Sequence, residues 1–329
     1  MKSIALASLA ITVATACDSP PPGRQPGRDS VHILVVGESK DSPSSPILRA
    51  ASIRFAHENA YATVEFLAPE TRSPIAQQAM LRSIQRRKFD ALCIVPIDPA
   101  AIQGLVDSLV NEGKQVVTIA RDIPDSNRTL YCGPCELQIG QMAATACAIA
   151  VKNRAKTVML LHAGQENAAC QRRRIAFKEE LAEIGGARLI AEYSSKDDPI
   201  EASRLVGLKS RSYPRVGCWV YLEDWALRAI GPKKRLLPLG CGLVLCNGSP
   251  DHFARLRSGE IDAIIAFDYY RAVEEAIRGA ARVVRTGQRD VLSVIDIPSE
   301  IITAKELDWY ERRWDAWRLA RPSPEAAPW

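Results

Sequence analysis

The tetrapeptide Cys132-Gly133-Pro134-Cys135 has the residue types and the spacing for thiol–disulfide exchange. Two thiols separated by two residues can form and break a disulfide, and the positive end of a helix lowers the pKa of a thiol beside it. We predict a strand over 129–131 before the pair and a helix from Glu136 after it. The local sequence therefore offers the context that redox chemistry needs.

Three interpretations of Cys132 and Cys135 are open at this point. The four residues are identical to the active-site core of thioredoxin, but no Trp precedes Cys132 and the chain has the wrong length and element order for that fold. The pair could instead form a structural disulfide, or it could remain as two free thiols.

Other residues with reactive side chains show no catalytic pattern. Eight cysteines follow Cys17, and several, such as Cys93 and Cys218, lie in apolar strand-like runs where a buried free thiol is expected. The four histidines are dispersed and lack metal-ligand spacing, and no nucleotide-binding or hydrolase motif occurs. We therefore expect no metal, no cofactor and no catalytic residue, and hence not an enzyme.

The N-terminal sequence predicts export. Lys2 precedes a mostly apolar run over 4–16, which has the length of a signal-peptide core and is too short to span a bilayer as a helix. Cleavage before Cys17 would make this residue a lipidated N-terminus, so we predict a lipoprotein-type signal peptide over 1–17. The small residues before the cysteine satisfy the rule for an ordinary secretory signal equally well.

The composition after the signal is that of a globular domain on a tether. The polar, Pro-rich stretch over 18–30 cannot bury apolar surface and predicts a linker. The whole chain is 47% apolar and 25% charged with a net charge of +5. Its basic clusters are short and lack interleaved aromatic residues, so we expect no nucleic-acid partner. No apolar run after Cys17 approaches the length that spans a membrane.

From residue 31 onward, short apolar strands alternate with helices. Residues 32–36 form a continuous apolar run, which is typical of a strand buried on both faces of a sheet. The alternation continues to a terminal helix over 305–319 and divides near 130–135 into two halves of similar build. We predict an α/β fold with two doubly wound parallel sheets.

Four segments, taken in order, carry a resemblance to a known family. Residues 89–102 read like a segment of Asp, a run of apolar residues and Pro-x-Asp, and residues 113–121 look like a strand that begins after Gly, with Ala-Arg where the pattern ends in Asp-Arg. Residues 173–177 stand in place of Arg-x-x-Gly-Phe, and residues 247–261 are similar to an Asp-Gly-x-Pro segment followed by Gly and apolar residues, with Asn for the Asp. In this combination the chain resembles the type I periplasmic solute-binding proteins, most of all the ribose-binding group, whose fold the lactose-repressor-type regulators share.

The resemblance implies two lobes joined by a three-crossover hinge. We place the crossovers near 133–135, at Phe267 and near 294–297. The first lobe would then comprise 31–134 plus 268–293, and the second lobe 135–267 plus 294–319. A disulfide between Cys132 and Cys135 would rigidify the first crossover, and this is the interpretation of the pair that we favour.

The terminal helix is rich in aromatic residues. We predict that they dock the helix against the second lobe rather than enclose a ligand, and that residues 320–329 form a C-terminal tail. The aromatic residues concerned are Trp309, Tyr310, Trp314 and Trp317.

The resemblance also implies a ligand site between the lobes, at the carboxyl ends of the parallel strands. Arg121 and Arg173 stand where the family has arginines, and they are the first candidates for ligand binding. Six further candidates lie at the ends of predicted strands or just after them: Glu38, Ser39, Asp41, Glu223, Asn247 and Phe267.

Several acids and amides of the family pattern are replaced in this chain. Ala120 precedes Arg121 where the family has Asp, and Asn247 replaces a second Asp. Two arginines that have lost acidic neighbours predict an anionic ligand or an acid-bearing sugar derivative. The alternative is that the arginines pair with Asp41, Asp122 or Glu223 and that the site has been lost.

The function that the resemblance implies is the capture of a small polar solute for an ABC-type importer. The partners would be the solute, a transporter permease and the membrane, the last through the lipid anchor only. A ligand sensor for a membrane kinase is the alternative from another class, and an extracytoplasmic thiol–disulfide protein is the third. DNA regulation is disfavoured because a signal and a tether stand where a helix-turn-helix would be needed.

Overall fold

The computed structural model describes residues 30–164, 167–196, 198–230, 234–288 and 293–320. The predicted signal peptide, the lipidation site Cys17, nearly all of the tether and most of the C-terminal tail lie outside these residues. Within them, no helix combines the length and the apolar character that a membrane span requires.

Strands and helices alternate as the sequence predicts. The first half of the chain contains β1 (Val31–Val36), α1 (Ser45–Glu58), β2 (Ala62–Leu67), α2 (Pro74–Ile84), β3 (Ala91–Ile94), α3 (Pro99–Asn111), β4 (Gln115–Ile119) and β5 (Leu130–Pro134). The second half contains α4 (Glu136–Ala150), β6 (Thr157–His162), α5 (Ala168–Ile184), β7 (Arg188–Ser194), α6 (Pro199–Ser212), β8 (Cys218–Tyr221), α7 (Trp225–Arg228), β9 (Gly242–Leu245), α8 (Phe253–Arg257) and β10 (Ala263–Phe267). The C-terminal part contains α9 (Tyr269–Thr286), β11 (Val294–Ile297), β12 (Ser299–Ile302) and α10 (Leu307–Arg318).

The strands of the described residues form two six-stranded sheets, and each sheet is the centre of one lobe. The order in the first sheet is β11-β5-β4-β3-β1-β2, and the order in the second is β12-β10-β9-β8-β6-β7. All neighbours are parallel except β10 and β12, which are antiparallel. The predicted fold class of two doubly wound α/β lobes is therefore confirmed, with one antiparallel edge strand that the sequence did not predict.

The chain crosses between the lobes three times, after β5, after β10 and between β11 and β12. The prediction that the second lobe resumes at residue 294 is wrong, because β11 pairs with β5 of the first sheet from Val294↔Tyr131 to Ile297↔Pro134. The third crossover lies at Pro298 instead. Proline has no backbone N–H to continue the ladder, so the chain leaves the first sheet there.

Strand β1 shows why the sheets form. Apart from His32 its residues are apolar, and Ile33 to Val36 are completely buried. Ile33 and Val35 face the core that holds α1 and α9, whereas Leu34 and Val36 face the core under α2 and α3. A strand covered on both faces needs no polar alternation, which is the pattern of a parallel sheet between two helix layers.

Candidate ligand cleft between the lobes

A cleft of about 420 Å³ lies between the two sheets. Its wall is built by the loops that follow β1, β4, β8, β9 and β10, because the carboxyl ends of parallel strands face the gap between the lobes. A volume of this size suits one small organic solute.

All eight residues that the sequence put forward line this cleft. The first lobe contributes Glu38, Ser39, Asp41 and Arg121, and the second lobe contributes Arg173, Glu223, Asn247 and Phe267. Residues that are up to 229 positions apart in the sequence thus meet in one place. Their role in binding a ligand stays a prediction, which is developed below.

Arg173 is buried in a cage of acceptors. Its Nε donates to Glu136 Oε2, and its Nη1 donates to Leu222 O at 2.9 Å and to Glu223 Oε1 at 3.1 Å. Burial opposes the charge, but Glu136 and Glu223 outweigh it and raise the pKa of the Arg173 guanidinium well above its usual value. The expectation that both family arginines lack acidic neighbours is therefore wrong for Arg173.

Glu223 responds to the same surroundings in the opposite way. Burial raises the pKa of its carboxyl, although Arg173 and Arg121 act to lower it. The ion pair between Glu223 and Arg173 agrees with the part of the alternative in which Glu223 neutralises a cleft arginine. This pairing does not close the cleft, since both residues still line it.

Arg121 differs from the other three arginines of the cleft. Its Nη1 donates to the backbone O of Ile97 at 2.7 Å, and no carboxylate of the described residues forms an ion pair with it. Asp122 is not its partner, because Arg128 holds that carboxylate through Nε and, at 2.8 Å, through Nη2. Arg121 follows Ala120, which has a φ of 62° where a residue with a side chain is strained.

The remaining two arginines of the cleft have acidic partners. Arg72 donates to Glu38 Oε1 at 2.5 and 3.0 Å, and Arg228 lies 2.5 Å from Asp224, which His252 also contacts at 3.2 Å. The cleft wall thus carries four arginines against Glu38, Asp41, Glu223, Asp224 and Asp251. Excess positive charge, the basis for predicting an anionic ligand, is absent from the described wall.

Aromatic rings line the hinge side of the cleft, although the first loop supplies none. Phe267 and Tyr269 have ring centroids 5.6 Å apart, and Tyr269 stacks on Trp314 at 6.5 Å with an interplanar angle of 29°. Tyr310 lines the same wall. Flat apolar rings of this kind can pack against the C–H face of a sugar ring.

The sequence did not predict three residues of the cleft wall: Arg72, Tyr310 and Trp314. Arg72 follows β2, next to β1 in the sheet, so the strand-end rule could have found it. Tyr310 and Trp314 belong to α10, and the prediction that α10 docks on the second lobe alone is wrong because the helix also contacts α1 of the first lobe. No local pattern indicates that a terminal helix turns into the cleft.

The predicted disulfide at the first crossover is not present. Cys132 and Cys135 are both free thiols. Strand β5 runs through Pro134, and three residues of extended chain span about 10 Å, which is too far for a disulfide. Burial raises the pKa of Cys132 to about 12, which is the opposite of what thiol–disulfide catalysis needs.

Among the described residues, no cluster of three or more His, Cys, Asp or Glu side chains could hold a metal ion.

The glycine at position 133 of the Cys-Gly-Pro-Cys segment is explained by packing and not by redox chemistry. A Cβ there would lie 2.3 Å from the hydroxyl oxygen of Tyr131, a residue of the same strand.

Two α/β lobes, three crossovers and a cleft lined from both sides define a two-lobed ligand-binding protein. The family model described as a periplasmic binding protein domain matches residues 47–289. The chain belongs to this family, as the sequence motifs predicted. A search of curated proteins gives no match.

Solved structures share the fold at low sequence identity. The periplasmic ribose ABC transporter protein from Conexibacter woesei is 18% identical with a TM-score of 0.70, covering 87% of this chain and 96% of that chain. An ABC transporter solute-binding protein from Bacillus halodurans with bound myo-inositol is 18% identical with a TM-score of 0.67, covering 88% and 99%. The XylFII–LytSN complex is 19% identical with a TM-score of 0.64, covering 84% and 98%.

Proposed function

We propose that this protein captures one small neutral sugar or cyclic polyol between its lobes and presents it to an ABC-type importer. The observation that carries the proposal is the meeting of eight separately predicted residues, four from each lobe, on one cleft of about 420 Å³. Solute-binding proteins of similar fold are described with bound D-arabinose, myo-inositol and D-allose.

Charge and shape of the cleft favour a neutral solute over an acidic one. Three of its four arginines are held by carboxylates of the protein, so they add hydrogen-bond donors without adding net charge. Hydroxyl groups need such donors and acceptors, because a buried unpaired hydroxyl costs about 1–3 kcal/mol. Among the described residues of the wall, Arg121 is the arginine without a carboxylate partner, which keeps an acidic sugar as the alternative ligand.

Isothermal titration calorimetry of the mature protein tests the ligand class. The panel is D-ribose, D-arabinose, myo-inositol, D-allose and D-galacturonate. We expect a neutral member to bind at a one-to-one ratio and Arg121→Ala to weaken it by about tenfold, the worth of one charged hydrogen bond. Tight binding of D-galacturonate alone would replace the neutral class by the acidic one, and no binding at all would reject both.

The proposed location is outside the cytoplasm, with Cys17 as the lipid-bearing N-terminus. The family and the apolar run over 4–16 support export. Mass spectrometry of the N-terminal peptide from membranes tests the anchor, because a diacylated Cys17 carries a mass that Cys17→Ser lacks. A soluble protein that carries no lipid and whose N-terminus lies at or near residue 17 would establish an ordinary secretory signal instead.

A second candidate function is ligand sensing through a membrane protein such as a kinase. It is favoured by the similarity of this chain to XylFII, which is seen in a complex with the protein LytSN. Co-purification from native membranes separates the two candidates, because an importer predicts a permease and an ATPase with the sugar-loaded protein, whereas a sensor predicts a kinase.

A further inference from the structure

The terminal helix α10 touches both lobes. It packs against α8 of the second lobe and against α1 of the first lobe. Its inner residues are almost completely removed from solvent, with Tyr310 at 1% and Trp317 at 0% exposure. A helix that served only to cover the second lobe would not need to contact the first lobe as well. The position of α10 across both lobes therefore suggests a role in holding them together.

The contacts of α10 with the second lobe are extensive. Phe253 of α8 packs edge-on against Tyr310 and Trp314, with ring centroids 5.5 and 6.4 Å apart. Arg257 of α8 also bridges Asp308 and Glu311 at 2.8 Å each. The ion pairs are exposed and add little, but the buried rings fix the helix on this lobe.

The contacts of α10 with the first lobe run along α1 and also lie at the cleft face of the helix. Arg54 of α1 donates from Nη1 to the backbone O of Ala320 at 3.1 Å. Tyr269 at the start of α9 stacks on Trp314. These contacts must separate if the lobes part, whereas the contacts with α8 can persist.

The same helix forms part of the cleft wall through Tyr310 and Trp314. Trp314 is therefore in contact with the second lobe through Phe253, with the first lobe through Tyr269, and with the space between the lobes. Ser39 of the opposite wall is 1% exposed, and its Oγ has no hydrogen-bond partner among the described residues. A hydroxyl of a solute in the cleft would satisfy this buried group, which favours binding of a polyhydroxylated ligand.

We propose that α10 is a clasp that links solute binding to closure of the lobes. It is anchored on the second lobe, its Trp314 ring packs against the bound solute, and its contacts with Tyr269 and Arg54 hold the first lobe. The inference rests on the proposed function for the identity of the solute, but the link between the lobes does not depend on it.

Two variants test the clasp from different sides. Trp314→Leu removes the ring that faces the cleft, and Trp314→Phe restores an aromatic ring. Asp315→Asn is the control on the same helix, because Asp315 is exposed and pairs with Arg318 of the helix itself. Arg54→Gln removes the bond to Ala320 without changing a residue of the cleft wall. Arg278→Gln is its control, because Arg54 and Arg278 both form (i, i+4) ion pairs, with Glu58 and Glu274.

Sugar dissociation and small-angle scattering are the two measurements. With the sugar of the panel that the wild type binds most tightly, we expect Trp314→Leu and Arg54→Gln each to raise the dissociation rate about tenfold. Trp314→Phe should recover most of the loss, and both controls should match the wild type. Without sugar, both variants should show a larger radius of gyration than the wild type and the controls.

Unchanged dissociation and an unchanged radius of gyration in Arg54→Gln would overturn the clasp. If the wild type binds no sugar of the panel, the proposed function fails, and the scattering comparison still decides on the clasp. A larger radius in both variants then supports it, and equal radii reject it.

Discussion

At the scale of single residues, the two arginines named from the sequence have different surroundings. Arg173 has two carboxylate partners and is buried, whereas Arg121 donates to a backbone oxygen and forms no ion pair within the part of the chain that the structure describes. Removing Arg173 leaves Glu136 and Glu223 buried without a counter-charge, which costs more than the loss of a surface pair. The neighbouring Arg174 is more exposed and pairs with Glu192.

Arg173→Ala should therefore lower the free energy of unfolding by about 3–5 kcal/mol, and Arg174→Ala by about 1 kcal/mol or less. Urea denaturation followed by circular dichroism measures both. Equal decreases in the free energy of unfolding of the two variants would contradict this prediction. They would mean that Glu136 and Glu223 tolerate the loss of Arg173 without a large penalty.

The thiols of the first crossover give a second prediction at this scale. Alkylation in denaturant without reductant should modify both Cys132 and Cys135, because the extended strand keeps the two sulfurs apart. Peptide mass spectrometry reads the result directly, and a prereduced sample serves as the control. A peptide that is 2 Da lighter and unmodified at both positions would mean that a disulfide forms.

At the scale of elements, the packing of α4 against α5 sets the position of Arg173. Gly140 of α4 lies so close to α5 that a Cβ would be 2.3 Å from the backbone O of Arg173 and 2.9 Å from Ala176. The close approach brings Glu136 of α4 to the guanidinium. Glycine here is a requirement of helix packing, unlike Gly104 of α3, which has open space around it.

Gly140→Ala should lower the free energy of unfolding by about 1–3 kcal/mol, because one added methyl forces the helices apart. Gly104→Ala should raise it by about 0.5–1 kcal/mol, since alanine favours an exposed helix and meets no neighbour. Thermal unfolding of both variants checks the opposite signs. A stabilised Gly140→Ala would refute the tight contact between α4 and α5.

At the scale of the whole molecule, buried titratable groups tie stability to pH. Burial lowers the pKa of His162 below 6.5, assisted by Arg174 and Lys178 and opposed by the backbone O of Ala163 and by Glu192. As the pH falls, His162 of the unfolded chain is protonated at a higher pH than His162 of the folded protein. The stabilisation is complete above about pH 6.5 and is lost as the pH falls toward the lowered pKa.

The melting temperature of the wild type should fall more between about pH 7 and pH 5 than that of His162→Gln. Differential scanning calorimetry in matched buffers measures the difference. Below this range, Glu192 adds a second loss between pH 4.5 and about 2, because hydrogen bonds from Arg174 and Lys178 lower its pKa to about 2. Parallel pH curves for the wild type and His162→Gln would contradict the role of His162.

Much of the fold followed from local patterns. Uninterrupted apolar strands predicted parallel sheets. Local hydrogen bonding also sets helix starts, as where the Ser73 side chain accepts from the N–H of Ala76 and caps α2. The edge strand β12 and the end of β11 did not follow. A four-residue edge strand carries little periodic signal, and which sheet it joins depends on a partner far away in the sequence.

The order of strands and helices, together with the family resemblance, was enough to predict the two-lobed class and the residues at the strand ends, because parallel strands place those ends at one gap. The partners of Arg173, the burial of Cys132 in an extended strand and the place of Trp314 in the cleft wall followed only from the packed molecule. These features depend on distances between segments that are far apart in the chain. A motif fixes the spacing of residues along the backbone, but charge partners and burial are set by whatever the fold brings beside them.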